Sequence, residues 1–499
     1  MAEKAYANGT TLDVAKFLQG LKFTRFHLWI LILSCLVTFF DGLDFALIAY
    51  TLPYIRDEMH LTDAMTGYVS SAAFLGQMIG SLVGSYVADV IGRRPVILIC
   101  TVLSAVLTFV TGFAQTPEML MALRFVGGLT IGGLLAPAWS LNIEAMPAGK
   151  RATAVTIIML GFSVGASAAG PITNFVAPSL GWHYVFFTCG GLTLALAVAL
   201  QFMLPESARW LVAQRKPRAR IMPLLNRFDP GTDLSRYTAF ELSDERNVAK
   251  EAGEPFRLRI KRMKILIPAD SANPIVRGLA TFLKAMSELF HGWLAWITPL
   301  IWATYFCSSF AIYLKSSYGV LFLEILGVER LNAAWISSAG GIAGAVAGVL
   351  LLALTEKRGP GWITLAPLVA IPFTLLVGLG IVLDGPLFIP VIFIGMIAVG
   401  AGHAAVISIT SIYYPSSIRA MGGGWASFMA KFAAVAAPIL GGYYFLSDQN
   451  AVLLGYVATA TALAGIVVGV LAVAHFARKL GDEQEREEAA AQGERAATA

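Results

Sequence analysis

Twelve apolar runs follow one another along the chain, near 27–52, 66–88, 95–114, 119–143, 153–177 and 183–204, then 293–323, 332–354, 361–383, 387–413, 420–446 and 450–477. Each is long enough to cross a bilayer, because about twenty residues of helix cover the ~30 Å hydrocarbon layer. The runs fall into two sixes. The pattern therefore predicts an all-α membrane protein with a tail at 1–26, a six-helix bundle at 27–204, a central loop at 205–292, a second six-helix bundle at 293–477 and a tail at 478–499. The first run is too long for the apolar centre of a cleavable signal and is expected to be a retained helix.

The polar breaks fix the expected orientation. With both termini inside, the inner tails and loops hold about 31 of the 36 Lys and Arg, while the outer loops hold only Arg56 and Arg330. Basic residues mark the cytoplasmic side, so both ends and the central loop are expected there, in a cell inner membrane. That loop carries two basic clusters, "QRKPRAR" and "FRLRIKRMK", suited to an anionic inner leaflet. It has no nucleic-acid-binding module or interleaved aromatics, so nucleic acid is not an expected partner. The tail "GDEQEREEAAAQGERAATA" is a charged, Ala-rich extension.

Composition agrees with this pattern and removes other classes. Hydrophobic residues make up 57% and charged residues 13%, with mean hydropathy +0.71. Soluble globular domains do not have this balance. Cys35, Cys100, Cys189 and Cys307 each lie alone in an apolar run, without metal-ligand spacing or a disulfide framework. No Walker A loop, catalytic triad or metal motif is present, so neither an enzyme, a cofactor nor a metal site is expected.

The halves echo each other. "MPAGKRA" (146–152) and "YPSSIRA" (414–420) share Pro-x-x-x-Arg-Ala; Asp89 and Gly92 match Glu356 and Gly359; Pro171 matches Pro438. All three correspondences have an offset of 267 or 268 residues. Duplicated six-helix halves are the architecture of rocking transporters, whose site lies at the repeat interface.

The charged residues inside spans carry the candidate chemistry. Asp41 and Asp44 sit three apart in span 1, on one helix face, with Gly42 between them thinning the helix. A carboxylate at mid-bilayer costs about 2.5–3.5 kcal/mol. Two are expected to look into a polar cavity, where burial and mutual repulsion suit one of them to carry a proton. A polar contact that merely fixes span 1 is the plainer alternative. Arg124 in span 4 lies at a similar depth and is their natural counter-charge. Lys431, halfway along span 11, needs an anion, either a substrate carboxylate or an acidic neighbour. His403 in span 10 is a titratable candidate or a hydrogen-bonded core residue. Lys315 is expected to snorkel to the interface. Phe39, Phe40, Phe45, Tyr305, Tyr313, Tyr318, Trp425 and Phe428 could stack on a ring or simply pack. Asp89, Arg93, Arg94, Glu144, Arg151, Glu356, Arg358 and Arg419 lie at inner helix ends and are expected to form gating salt bridges.

Three stretches bring in a resemblance. "GSYVADVIGRRP" (84–95) resembles the loop 2–3 signature of the major facilitator superfamily, with Ser85 and Val90 where a glycine and a basic residue are usual. "RFVGGLTIGG" and "PESARW" fit the same superfamily. Within it, Asp-Gly-x-Asp in span 1 resembles the mark of the aromatic acid:proton symporters. "YLKSSY" is similar to that group's span 7, with Tyr318 in place of a tryptophan. In span 11 the group has Gly-Arg-x-Gly where this chain has Ala430-Lys431-Phe432-Ala433. The resemblance implies a twelve-helix secondary transporter, functional as a monomer, that takes up an aromatic carboxylate with protons. It implies a switch between a span 1 Asp and Arg124. Lys431, His403, Tyr313, Tyr318 and Trp425 are the expected substrate-site residues on the reading of the spans given above. The alternatives are a symporter of sugars or of aliphatic acids such as muconate, a proton-coupled exporter, and a non-transporting membrane sensor.

Overall fold

The computed structural model describes residues 7–8, 11–242, 289–290, 294–358, 360–414 and 419–498. The basic cluster at 256–264 and residues 415–418 of the repeat motif lie outside them. Among the described residues, twelve helices are long and apolar enough to cross a membrane. They are Arg25–Met59, Asp63–Ile91, Arg93–Thr111, Pro117–Ala145, Ala148–Leu180 and Trp182–Met203 (spans 1 to 6), then Leu294–Ile325, Arg330–Thr355, Gly361–Gly378, Phe388–Val406, Met421–Tyr444 and Gln449–Lys479 (spans 7 to 12).

Helix ends follow local chemistry. The side chains of Thr62 and Thr116 accept amides at the starts of spans 2 and 4, and Pro117 occupies the first turn of span 4. Span 1 runs on past its apolar run to Met59, because Leu52 and Ile55 stay buried and Pro53 is accommodated inside the helix. Span 10 is shorter than its apolar run. It stops at Val406, and a separate helix, Ile409–Tyr413, follows. The Ile407 carbonyl at that break accepts the Tyr305 hydroxyl at 2.8 Å, a partner that non-helical backbone at membrane depth requires. Tyr305 is thereby engaged as a structural donor. Beyond span 12 the helix continues to Thr498.

The described residues form two compact units. The first takes everything up to residue 242 together with Ser316–Ile342 and Pro438–Gln449. The second takes the rest of spans 7 to 12. In the first unit, spans 1 and 5 pack backbone to backbone. A Cβ at Gly42 would overlap the Phe162 carbonyl, and one at Gly165 the Phe39 carbonyl. Small residues let membrane helices approach this closely. The neighbour that Gly42 admits is thus span 5.

The described parts of the N-terminal tail and the central loop share one core. Strand β2 (Thr11–Asp13) pairs antiparallel with β1 (Ala7–Asn8) and parallel with β3 (Ala239–Glu241). Asp13 caps the helix Val14–Gly20 through the amides of Ala15 and Lys16. Leu12, Phe17 and Leu18 share a core with Trp210, Leu225, Phe228 and Tyr237 of the loop, and Ile30 of span 1 joins it. This cap is seated on loop 2–3, since the Trp210 indole and the Gln214 amide both donate to the Asp89 carbonyl.

A buried ion pair and a polar seam

Asp41, Asp44 and Arg124 are 3%, 2% and 2% exposed. Arg124 binds Asp44 twice, through Nη1 to Oδ1 at 2.9 Å and through Nη2 to the main-chain carbonyl at 2.9 Å. Ser104 Oγ of span 3 donates to the other carboxylate oxygen at 3.1 Å. The guanidinium lies 5.9 Å from the centroid of the fully buried Phe186 ring of span 6. Spans 1, 3, 4 and 6 thus enclose a dry, hydrogen-bonded ion pair, and the expected partner of Arg124 resolves to Asp44.

The second unit holds a separate polar seam between spans 7 and 10. Ser308 Oγ lies 3.0 Å from His403 Nδ1, and the Tyr313 ring meets the imidazole edge-on at 6.3 Å. Seven residues further along span 7, Lys315 Nζ donates to the Met396 carbonyl at 3.3 Å. Lys315 does not snorkel. It stands ten residues from the end of its helix, and Met396 is mid-span. Trp425 of span 11 stacks on Trp302 at 5.6 Å and meets Phe428 edge-on. Lys431, also of span 11, is partly exposed. Tyr318 belongs to the first unit instead, fully buried, with its hydroxyl donating to the Pro438 carbonyl at 2.6 Å.

At the helix ends on the side of the termini, Arg93 pairs with Asp89 and with Glu144, both at 3.0 Å. Arg94 makes no such bridge. It donates to the Leu204 and Gln201 carbonyls, which end span 6 without helical partners. Arg151 reaches the Met146 carbonyl at 3.5 Å, and Arg358 lies over Trp362 at 5.3 Å. The side chains of Glu356 and Arg419 lie outside the described residues. Sequence reasoning missed Glu206, whose Oε1 accepts the amides of Arg93, Arg94 and Ser207. Burial pushes its carboxyl above the usual range, against these amides and the Arg93 charge, which pull it down. A Cβ at Gly92 (φ 114°) would strike this carboxylate. The neighbouring Ser207 hydroxyl donates to Glu144. The signal was the Pro-Glu-Ser motif itself.

The opposite helix ends of the first unit are also tied together. Arg330 pairs with Asp57 at 2.7 Å and with Glu324, and stacks over Tyr54 at 4.7 Å. Ser338 donates to Tyr50 at 3.2 Å, and Asn174 to the Leu331 carbonyl at 2.9 Å. These residues were not singled out, although Arg330 is one of only two basic residues on that side.

The family model for the Major Facilitator Superfamily matches residues 34–438. The chain belongs to the major facilitator superfamily. It is a multi-pass membrane protein with that superfamily's twelve-helix fold. The gallate transporter of Pseudomonas putida is 28% identical over 86% of this chain and 88% of its own length. The 4-hydroxybenzoate transporter PcaK of the same organism is 28% identical over 92% of this chain and 96% of its own. The benzoate transport protein of Acinetobacter baylyi is 25% identical over 87% and 86%. Among solved structures, a bacterial homolog of the human lysosomal transporter Spinster, inward-facing and unoccupied, aligns with TM-score 0.64 at 16% identity. It covers 92% of this chain and 99% of its own. The Escherichia coli xylose transporter XylE, partially occluded and inward open, gives 0.62 at 16% identity over 90% of this chain and 97% of its own.

Proposed function

We propose that this chain is a proton-coupled importer of an aromatic carboxylate, working as a monomer in a cell inner membrane with both termini cytoplasmic. The observation that carries the coupling is the dry Asp44–Arg124 pair. A charge removed from water is stable only while its partner is charged, so protonating Asp44 takes away the counter-charge of Arg124 and makes the pair a two-state element. Asp41, one turn away, is the second carboxyl of the relay. The substrate class rests on the relatives named for gallate, 4-hydroxybenzoate and benzoate, which align along most of the chain.

In this reading His403, Tyr313, Trp425 and Lys431 line the path of the aromatic acid. The Asp89–Arg93–Glu144 cluster, with Arg94, Arg151, Glu356, Arg358 and Arg419, steadies the inner helix ends. The contacts of Arg330 and Ser338 hold the outer ends together. Vesicles containing the purified chain test this function. An inward proton gradient should drive accumulation of 4-hydroxybenzoate or gallate, and a protonophore should abolish it. Accumulation at full rate without a gradient rules out the coupling. Binding without any movement supports a sensor.

A further inference from the structure

The membrane-embedded part of the second half has an uneven charge inventory. Spans 7 to 12 hold Lys315 and Lys431 in their interiors, and their only carboxylate is Glu324 at the end of span 7. Glu324 is engaged with Arg330. The first half is the reverse, with two interior aspartates for one arginine. A cation at membrane depth requires an anion or a set of carbonyls. Lys315 has one carbonyl, at the long distance of 3.3 Å. An ammonium has three donors, and among the described residues no Asp or Glu pairs with this one. The residue is also partly exposed.

The same seam offers a second polar group at a defined spacing. Ser308 and Lys315 are seven residues apart on span 7, as Met396 and His403 are on span 10. The two contacts are therefore about 10 Å apart, two helical turns. Ser308 holds His403 through Nδ1, and Nε2 makes no hydrogen bond among the described residues. An aromatic ring with polar groups at opposite ends, counted with a hydrogen bond at each, has a comparable length.

We propose that Lys315 is the carboxylate anchor of the aromatic acid, with His403, positioned by Ser308, taking a hydroxyl at the far end of the ring. The proposal rests on the transport reading above and locates its substrate site in the seam between spans 7 and 10.

The test is binding of 4-hydroxybenzoate, benzoate and the uncharged 4-hydroxybenzamide to the purified full chain. The parent should prefer 4-hydroxybenzoate over the amide by at least tenfold. Lys315→Gln keeps a donor for the Met396 carbonyl but has no charge, and should bring acid and amide within about twofold. Lys315→Arg should restore most of the preference, which also serves if the Gln variant fails to fold. His403→Ala should keep the preference for acid over amide and lose that for 4-hydroxybenzoate over benzoate. If Lys315→Gln retains the parental preference, or Lys315→Arg loses it in a folded protein, the anchor lies elsewhere while the transport reading stands. If the parent binds none of the three, both fall together.

Discussion

Arg124 donates to two parts of Asp44, its carboxylate and its own main-chain carbonyl, each at 2.9 Å. The guanidinium is therefore tied to span 1 through both side chain and main chain.

This geometry separates the two aspartates. Asp44→Asn leaves Arg124 buried without its counter-charge, a loss of about 3–5 kcal/mol where a buried pair is broken on one side. Its membrane level should fall, as should that of Arg124→Gln. The double variant removes both charges and should recover much of that level, while concentrative uptake stays absent. Quantitative immunoblots of membranes beside uptake assays check this. If the double variant is no better than either single one, the two side chains are not coupled.

Asn keeps the size and hydrogen bonding of Asp41 and removes a costly membrane charge. Asp41→Asn should reach the membrane at parental levels, lose accumulation against a gradient and retain counterflow between two substrate-filled sides. Parental accumulation would show that Asp41 takes no part in proton movement.

Gly42 faces the Phe162 carbonyl of span 5, so Gly42→Val forces the helices apart. Overpacking of this kind costs about 1–3 kcal/mol. A fall in the midpoint of detergent-phase unfolding is expected for Gly42→Val, and a smaller one for Gly42→Ala. An unchanged midpoint for the valine variant would contradict the backbone contact.

Arg330 bridges Asp57 and Glu324 on a partly exposed surface, where one pair contributes about 0.2–1 kcal/mol. Arg330→Gln should therefore loosen this end severalfold. The readout is the rate at which an impermeant maleimide labels a cysteine placed at Ser338, itself 2% exposed. No acceleration would mean that the neighbouring contacts suffice.

Phe17 is 5% exposed inside the cap. Phe17→Ala should destabilise it by about 3–5 kcal/mol. Limited proteolysis of inside-out vesicles should then cut the loop near residues 230–240 faster than in the parent, while the spans remain intact. Equal cutting rates would place Phe17 outside the stabilising core.

The helices were legible because the bilayer imposes one length and one polarity on every span, so hydropathy alone finds all twelve. The pairing of Arg124 with a span 1 aspartate was legible because an arginine at that depth has few partners. Which aspartate it takes was not, since the choice depends on helix rotation and on Ser104 of span 3. Lys315 was misread because the end of span 7 lies at Ile325, which puts the amine deeper than its apolar run suggested. Glu206 and the tail-to-loop core were missed for a different reason. They join segments separated by four and by six spans, and no local periodicity records such a contact.

The pairing of Thr11 with Ala239 has a consequence for how the protein is made. Its N-terminal strand leaves the ribosome first, yet its parallel partner appears only after six helices have entered the bilayer. Long-range pairing is slow to form, and early segments wait exposed until their partners arrive. Closure of the cap therefore comes after insertion of span 6. The tail can find its core only once span 6 has been inserted and the loop beyond it lies on the same side of the membrane. A chain that inserts an odd number of the first helices leaves Leu12, Phe17 and Leu18 uncovered, a mark by which quality control could distinguish it from a correctly threaded one.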